Sequence, residues 1–185
     1  MMRRCTRMVV PAVAARMSST GAKFDLFGYE VDTNTAPWIQ KIKAVKTYDD
    51  AGEILVEMNV KNCPPDLATY NATLEAIYNA KSKATEPIDN ESKFCAMMDL
   101  LEEMSHRNKI KPDATSWTWV MKECVAAKNF HVGRVIVRVM EAECGSAPSD
   151  LVQANEANAS AAAAEGKEHP SYLSKQHGLF DIEIV

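Results

Sequence analysis

Glycine is scarce in this chain, 7 residues in 185, and none stands in a Gly-x-x-x-x-Gly-Lys-Ser/Thr run. Without that loop the backbone amides that cradle a nucleotide's phosphates are missing, so ATP is not expected to bind in that manner. Gly-x-Ser-x-Gly is absent too, which removes the strained elbow of a hydrolase nucleophile. Cys5, Cys63, Cys95, Cys124 and Cys144 are odd in number and hold no Cys-x-x-Cys pair, so no disulfide framework follows. His106, His131, His169 and His177 are scattered, and neither set has zinc-ligand spacing. The paired carboxylates Asp49/Asp50 and Glu102/Glu103 are neighbours in sequence and fall on different sectors of a helix, which suits capping and surface charge. No catalytic residue, metal ligand or cofactor is expected. No apolar run approaches the roughly 20 residues a membrane-spanning helix requires.

Acid is also missing from the first residues. Nothing acidic precedes Asp25, while Arg3, Arg4, Arg7 and Arg16 appear with Ser18, Ser19 and Thr20. Only Met8 to Ala15 is apolar there, and Arg and Pro flank or interrupt it. A secretory leader would hold a longer unbroken core. An Arg- and Ser-rich, acid-free leader reads as a mitochondrial presequence, placed at residues 1–19. Its removal would take four Arg and move the formal charge from −4 to −8.

What the sequence does contain is a mark that recurs. Pro65-Asp66 opens Leu67-Ala68-Thr69-Tyr70-Asn71, and Pro112-Asp113 opens Ala114-Thr115-Ser116-Trp117-Thr118. Ahead of these marks lie apolar stretches ending in Met58 and Met104, and a third ending in Met140 precedes Pro148-Ser149. Ten residues before the three Met stand Tyr48, Phe94 and Phe130; seven before, Ala51, Met97 and Gly133; four before, Ile54, Leu100 and Ile136; three before, Leu55, Leu101 and Val137. Those offsets form one helical stripe, and the small residues among them allow neighbouring helices to approach closely. Thr35, Thr69 and Ser116 each follow an Asp by three residues, as a capped helix start requires. First helices are therefore predicted over Thr35–Lys46, Thr69–Ala80 and Ser116–Ala127. The spacing is 34 residues from Asp32 to Asp66, 47 to Asp113 and 36 to Ser149. The polar, Pro87-broken segment from Ala80 to Glu91 lengthens the middle repeat in a loop, where insertions disturb neither packed face.

Thr69-Tyr70-Asn71, and Leu101-Glu102-Glu103-Met104 followed by Ile110-Lys111-Pro112-Asp113, resemble pentatricopeptide repeats over residues 32–149. The resemblance implies an all-α fold, a short array of about three helical hairpins with an extended C-terminal tail. The family usually reads single-stranded organellar RNA with two side chains per repeat. Carried over, Asn71 with Asp113, and Thr118 with Ser149, would be the reading positions, while Pro37 leaves the first repeat blind. An acidic chain repels the phosphates that supply most nucleic-acid affinity. The basic strips Lys41, Lys43 and Lys46, and His106, Arg107, Lys109 and Lys111, read as solvated faces more readily than as an RNA track. Within the same family the chain is similar to the small accessory subunits of the mitochondrial F1 ATP synthase of euglenozoan protists. That likeness rests on the presequence, Pro37-Trp38-Ile39-Gln40, the Thr69–Leu74 run and the ending Gly178–Val185. It implies a non-catalytic subunit on the matrix side of the inner membrane, docked against F1 alpha subunits without binding nucleotide itself. An organellar RNA-binding adaptor and a mitoribosome-associated assembly protein are the alternatives.

Residues 20–31 are read as an extended N-terminal segment, and residues 150–185 as an Ala-rich linker and a docking tail. Ala154 to Gly166 is compatible with helix or linker, since Ala favours helix but no apolar face supports one. Beyond Pro170, Tyr172, Leu173, Leu179, Phe180, Ile182 and Ile184 are apolar, and Phe180 to Ile184 alternate with acids at a strand-like period. This stretch either packs back on the repeats or adds to a partner's surface. Together with Trp38, these residues are the expected docking contacts, because Trp is frequent among binding hot spots.

Overall fold

The structure, a computed structural model, describes residues 16–17, 23–24, 29–80 and 90–165. Seven α-helices carry it: α1 (Ala36–Ala44), α2 (Tyr48–Val60), α3 (Leu67–Asn79), α4 (Asn90–Glu102), α5 (Ala114–Ala126), α6 (Phe130–Cys144) and α7 (Ser149–Ala164). Ahead of them β1 (Arg16–Met17) and β2 (Lys23–Phe24) form a two-residue antiparallel ladder. Helices α1/α2, α3/α4 and α5/α6 pair as hairpins, and α1, α3, α5 and α7 pack in succession. Each second helix also touches the first helix of the next hairpin. The predicted first helices coincide with α1, α3 and α5 to within two residues.

The hairpins join by one repeated device. Asn62, Lys109 and Gly145 all adopt positive φ, and each stands three residues before a proline: Pro65, Pro112 and Pro148. At Asn62 the left-handed turn lets Cys63 N–H donate to Met58 O (2.9 Å) and Asn62 N–H to Asn59 O, which satisfies carbonyls at the end of α2. Asn129 N–H and Lys128 N–H close α5 the same way onto Cys124 O and Val125 O. In α4 the π-helical turn Glu103–Arg107 takes up one more residue, so Ile110 N–H reaches Met104 O. The proline then bars any continuation of the helix.

The aligned stripe is the core. Met58, Met104 and Met140 are fully buried, as are Met97, Ile136 and the ring of Tyr70. Burying a side chain of this size stabilises by roughly 1.5–3 kcal/mol. Tyr70 hydroxyl donates to Glu103 Oε1 (3.2 Å) and accepts from Asn108 Nδ2, which ties α3 to the π turn that closes its own hairpin. Burial first, and then the charge of Glu103, push the Tyr70 hydroxyl well above its ordinary pKa, so it remains a donor.

Two expectations change. Asp32 does not cap α1. It accepts from Asn34 N–H (2.9 Å), and α1 opens at Thr35 without a side-chain cap, with Pro37 in its first turn and the Thr35 hydroxyl donating to Asp66 instead. The second change concerns the segment read as linker from residue 150. Its first part, to Ala164, belongs to α7, which starts at Ser149 and packs on α5 and α6 in the place a next first helix would take. Few apolar residues hold it. Asn155 donates to Phe130 O (3.1 Å), Asn158 to Val125 O (2.9 Å), and Arg134 makes a forked pair with Glu156 at 2.6 and 2.8 Å. Polar latches onto backbone carbonyls leave no apolar periodicity to read in sequence.

That docking requires Gly133. A Cβ there would lie 2.2 Å from Asn155 Oδ1 and 2.7 Å from Asn155 Cγ, and Asn155 is buried and bonded, so it cannot swing aside freely. Gly133→Ala is expected to destabilise by about 1–3 kcal/mol through overpacking. Combining it with Asn155→Ala should cost less than the two single changes added together. Urea unfolding of the three variants measures this coupling, and strict additivity would refute the close contact.

Glu123 on α5 is buried at 2 % exposure, and its Oε1 has no hydrogen-bond partner. Burial raises its pKa, only partly offset by Lys93. A raised acid pKa means the folded state binds the proton more tightly. Its contribution therefore favours folding at low pH and fades as pH rises from the ordinary glutamate range through the folded value. Glu123→Gln is expected to be more stable than the parent at pH 7, with that advantage shrinking toward pH 4. Thermal melting across this range reads the difference.

Candidate functional site

The polar residues singled out in the sequence converge on the junctions between hairpins. Asp66 caps α3: its Oδ1 accepts from Thr69 N–H (2.8 Å) and Thr69 Oγ1 (2.7 Å). Its Oδ2 accepts from Thr35 Oγ1 (2.9 Å), at the start of α1. Asp113 repeats the arrangement on α5, accepting from Ser116 N–H (2.8 Å) and from Asn71 Nδ2 (3.2 Å) on α3. Ser116 Oγ donates to Asn71 Oδ1 (2.6 Å) and accepts from Asp113 N–H, completing a capping box. One carboxylate thus starts a helix and grips the preceding first helix. Burial opposes ionisation of both Asp66 and Asp113. The hydrogen bonds from Thr69 and Thr35, and those from Ser116 and Asn71, outweigh it and hold both below the usual aspartate range.

This geometry decides what the four reading positions can do. Asn71 and Asp113 are bonded to each other and to Ser116, so a base approaching them competes with bonds already made within the chain. Thr118 Oγ1 donates to Ala114 O one turn back (2.6 Å). Ser149 is the exposed first residue of α7. The two basic strips carry acids beside them: Lys41 and Lys61 flank Glu57 (3.9 and 2.7 Å), Lys43 lies 4.0 Å from Glu75, and Lys111 3.5 Å from Glu143. Such exposed pairs add little stability, yet they dilute the positive field an RNA backbone needs.

Trp38, read as a docking contact, lies in the core. Pro37 opens α1 so that Trp38 and Ile42 share the buried face, and Lys41 and Lys61 cover the ring at 4.3 and 5.2 Å. The ring packs the first hairpin and is not offered outward. Trp117 is buried, whereas Trp119 is half-buried beside Tyr78 (5.6 Å between rings) with Lys122 Nζ 3.8 Å from its centroid. Tyr172, Leu173, Leu179, Phe180, Ile182 and Ile184 lie outside the described residues. What the repeat alignment passes over is an apolar corner. Among the described residues the exposed large apolar side chains are Tyr29, Val56 and Val60. The signal was present, since Val56 and Val60 are four apart and off the buried stripe of α2. Among the described residues no group of His, Cys, Asp and Glu could hold a metal ion, and no helix is long and apolar enough to cross a membrane.

Asp113→Ala should cost about 0.5–2 kcal/mol at pH 7, the usual range for loss of a helix cap. The depressed pKa places this stabilisation above the unfolded aspartate range and removes it as pH falls through the folded value. Parent and variant should therefore converge toward pH 3 in urea unfolding; a gap independent of pH would argue against the ionised cap.

Two comparisons bear on this array. The family described as ATP synthase subunit p18 TPR-like domain matches residues 28–163, a span that takes in α1 through α6 and nearly all of α7. Its description uses the tetratricopeptide label, a related helical-hairpin repeat. A protein of Trypanosoma brucei brucei named "ATP synthase subunit p18, mitochondrial" is 65 % identical over 187 aligned positions that cover the whole of both chains. The chain belongs to the ATP synthase subunit p18 TPR-like family.

Proposed function

We propose that this chain is a non-catalytic accessory subunit of the mitochondrial ATP synthase, seated on the outside of the F1 head against alpha subunits, on the matrix side of the inner membrane. The observation that carries the reading is identity of 65 % along the full length of both chains to a protein named as that enzyme's mitochondrial subunit p18. The physical argument agrees with it. A hairpin array presents broad, rigid helical surfaces and acts by burying them against a partner. The polar groups that an RNA reader would turn toward bases are instead bonded across the Asn71–Asp113 junction. The apolar and acidic ending of the chain, from residue 170, serves in this reading as an anchor on the complex.

Purification of the tagged full-length protein from mitochondria should recover the F1 alpha and beta subunits, before and after ribonuclease alike. Removal of residues 170–185 should abolish that recovery, whereas Asn71→Ala should leave it intact. Recovery of RNA or ribosomal proteins that vanish on digestion would replace this reading with the RNA adaptor. Undiminished recovery without the tail would remove the anchor alone.

A further inference from the structure

We infer that the outer face of α2, the stripe Gly52, Val56 and Val60 with the acids Asp50 and Glu53 beside it, seats a partner subunit of the ATP synthase whose own contacting ridge is apolar and flanked by basic side chains, an inference that rests on the function proposed above. At about 100° per residue these three positions fall within one narrow sector of the helix. Ala51, Leu55 and Met58 occupy the opposite, buried side. Val56 is 55 % exposed and Val60 80 %. Tyr29, exposed by 70 %, belongs to the same corner: the next residue, Glu30, accepts through its carbonyl from Asn62 Nδ2 (2.8 Å), two residues beyond Val60. Scattered apolar residues on a surface need no explanation. Here the exposed large ones of the described residues gather at one end of the molecule, which marks contact surfaces.

Gly52 supplies an independent argument. It stands inside α2, where glycine is among the poorest helix residues. Its backbone does not require glycine, since Gly145 is the described glycine with positive φ. Nor does any neighbour require the missing side chain: a Cβ at Gly52 would meet nothing within 4 Å, whereas one at Gly133 would strike Asn155. Gly133 makes room for a helix of this chain. Gly52 makes the same kind of room, on the same kind of helix, for something outside it.

Charge selects the occupant. Glu53 is exposed beside Val56, and Asp50 is exposed at the start of the helix. Glu57 is already matched by Lys61 and Lys41. A partner ridge carrying basic side chains would complement Glu53 and Asp50 around an apolar centre, the arrangement of an interface with a dry middle and a polar rim. A second copy of this chain would set Glu53 against like charge if the two α2 faces met.

The test uses the tagged full-length protein in mitochondria, with Gly52→Gln, Glu53→Lys and Val60→Asp compared with the parent for recovery of F1 alpha and beta subunits. All three positions are exposed, so folding should persist, checked by melting of each purified variant. Gly52→Gln should raise the melting temperature and yet lower recovery, which separates docking from folding. Val60→Asp and Glu53→Lys should lower recovery by about ten-fold or more, as loss of a hot-spot contact does. If the parent recovers F1 and the variants do so equally, the face is not the interface, although the proposed function stands. If the parent recovers no F1, the proposed function fails and this inference with it. A fall in the protein's own molecular mass in light scattering on Val60→Asp would assign the face to self-association and overturn the inference.

Discussion

One carboxylate at each hairpin junction holds the array in order. Asp66 and Asp113 each satisfy free amides at the start of a first helix while accepting from the first helix before it, through Thr35 in one case and Asn71 in the other. Packing alone would let neighbouring hairpins slide, because apolar contacts carry little direction. A hydrogen-bonded carboxylate that belongs to two helices at once does not allow that freedom. The left-handed turn four residues upstream and the intervening proline deliver it to the right place. Helix end, turn, proline and cap thus form one joint, and the repeats are the spacing of that joint.

The two ends of the array differ because the joint is altered there. At the first helix Asp32 is drawn into a local turn with Asn34, and Thr35 serves the following junction instead of its own helix. At the far end Gly145 and Pro148 repeat the turn, but Ser149 replaces the aspartate and α7 opens without a side-chain cap. What α7 loses in capping and apolar burial it recovers by the close approach at Gly133 and by amides that donate to carbonyls at the α5–α6 turn. A helix attached in this way has few buried apolar contacts, so it opens more readily than one seated in a core.

A rigid array with its polar junctions closed and its buried stripe filled has few ways to act other than through its outer surface. The full-length likeness to a subunit of ATP synthase fits that constraint. Large complexes are built from such surfaces, and this acidic helical array offers one with an apolar corner on α2. The same closure explains why residues that resemble an RNA-reading pair here serve architecture: Asn71 donates to Asp113 and accepts from Ser116, which joins α3 to the start of α5.

The sequence by itself determined the hairpins. Met58, Met104 and Met140 with their preceding apolar positions set which side of each second helix is buried, and Pro65-Asp66 and Pro112-Asp113 set where the next helix begins. These are local properties, a helical period and a cap, and they are written within a few residues of where they act. Tertiary structure alone decided the rest. It turned Trp38 inward under two lysines, joined Asn71 to Asp113 across 42 positions, made α7 a packed helix, and left Gly52 with open space while Gly133 faces Asn155. Each of those outcomes depends on what stands opposite a residue in space, and no period along the chain records the neighbour a side chain will meet once the hairpins have stacked.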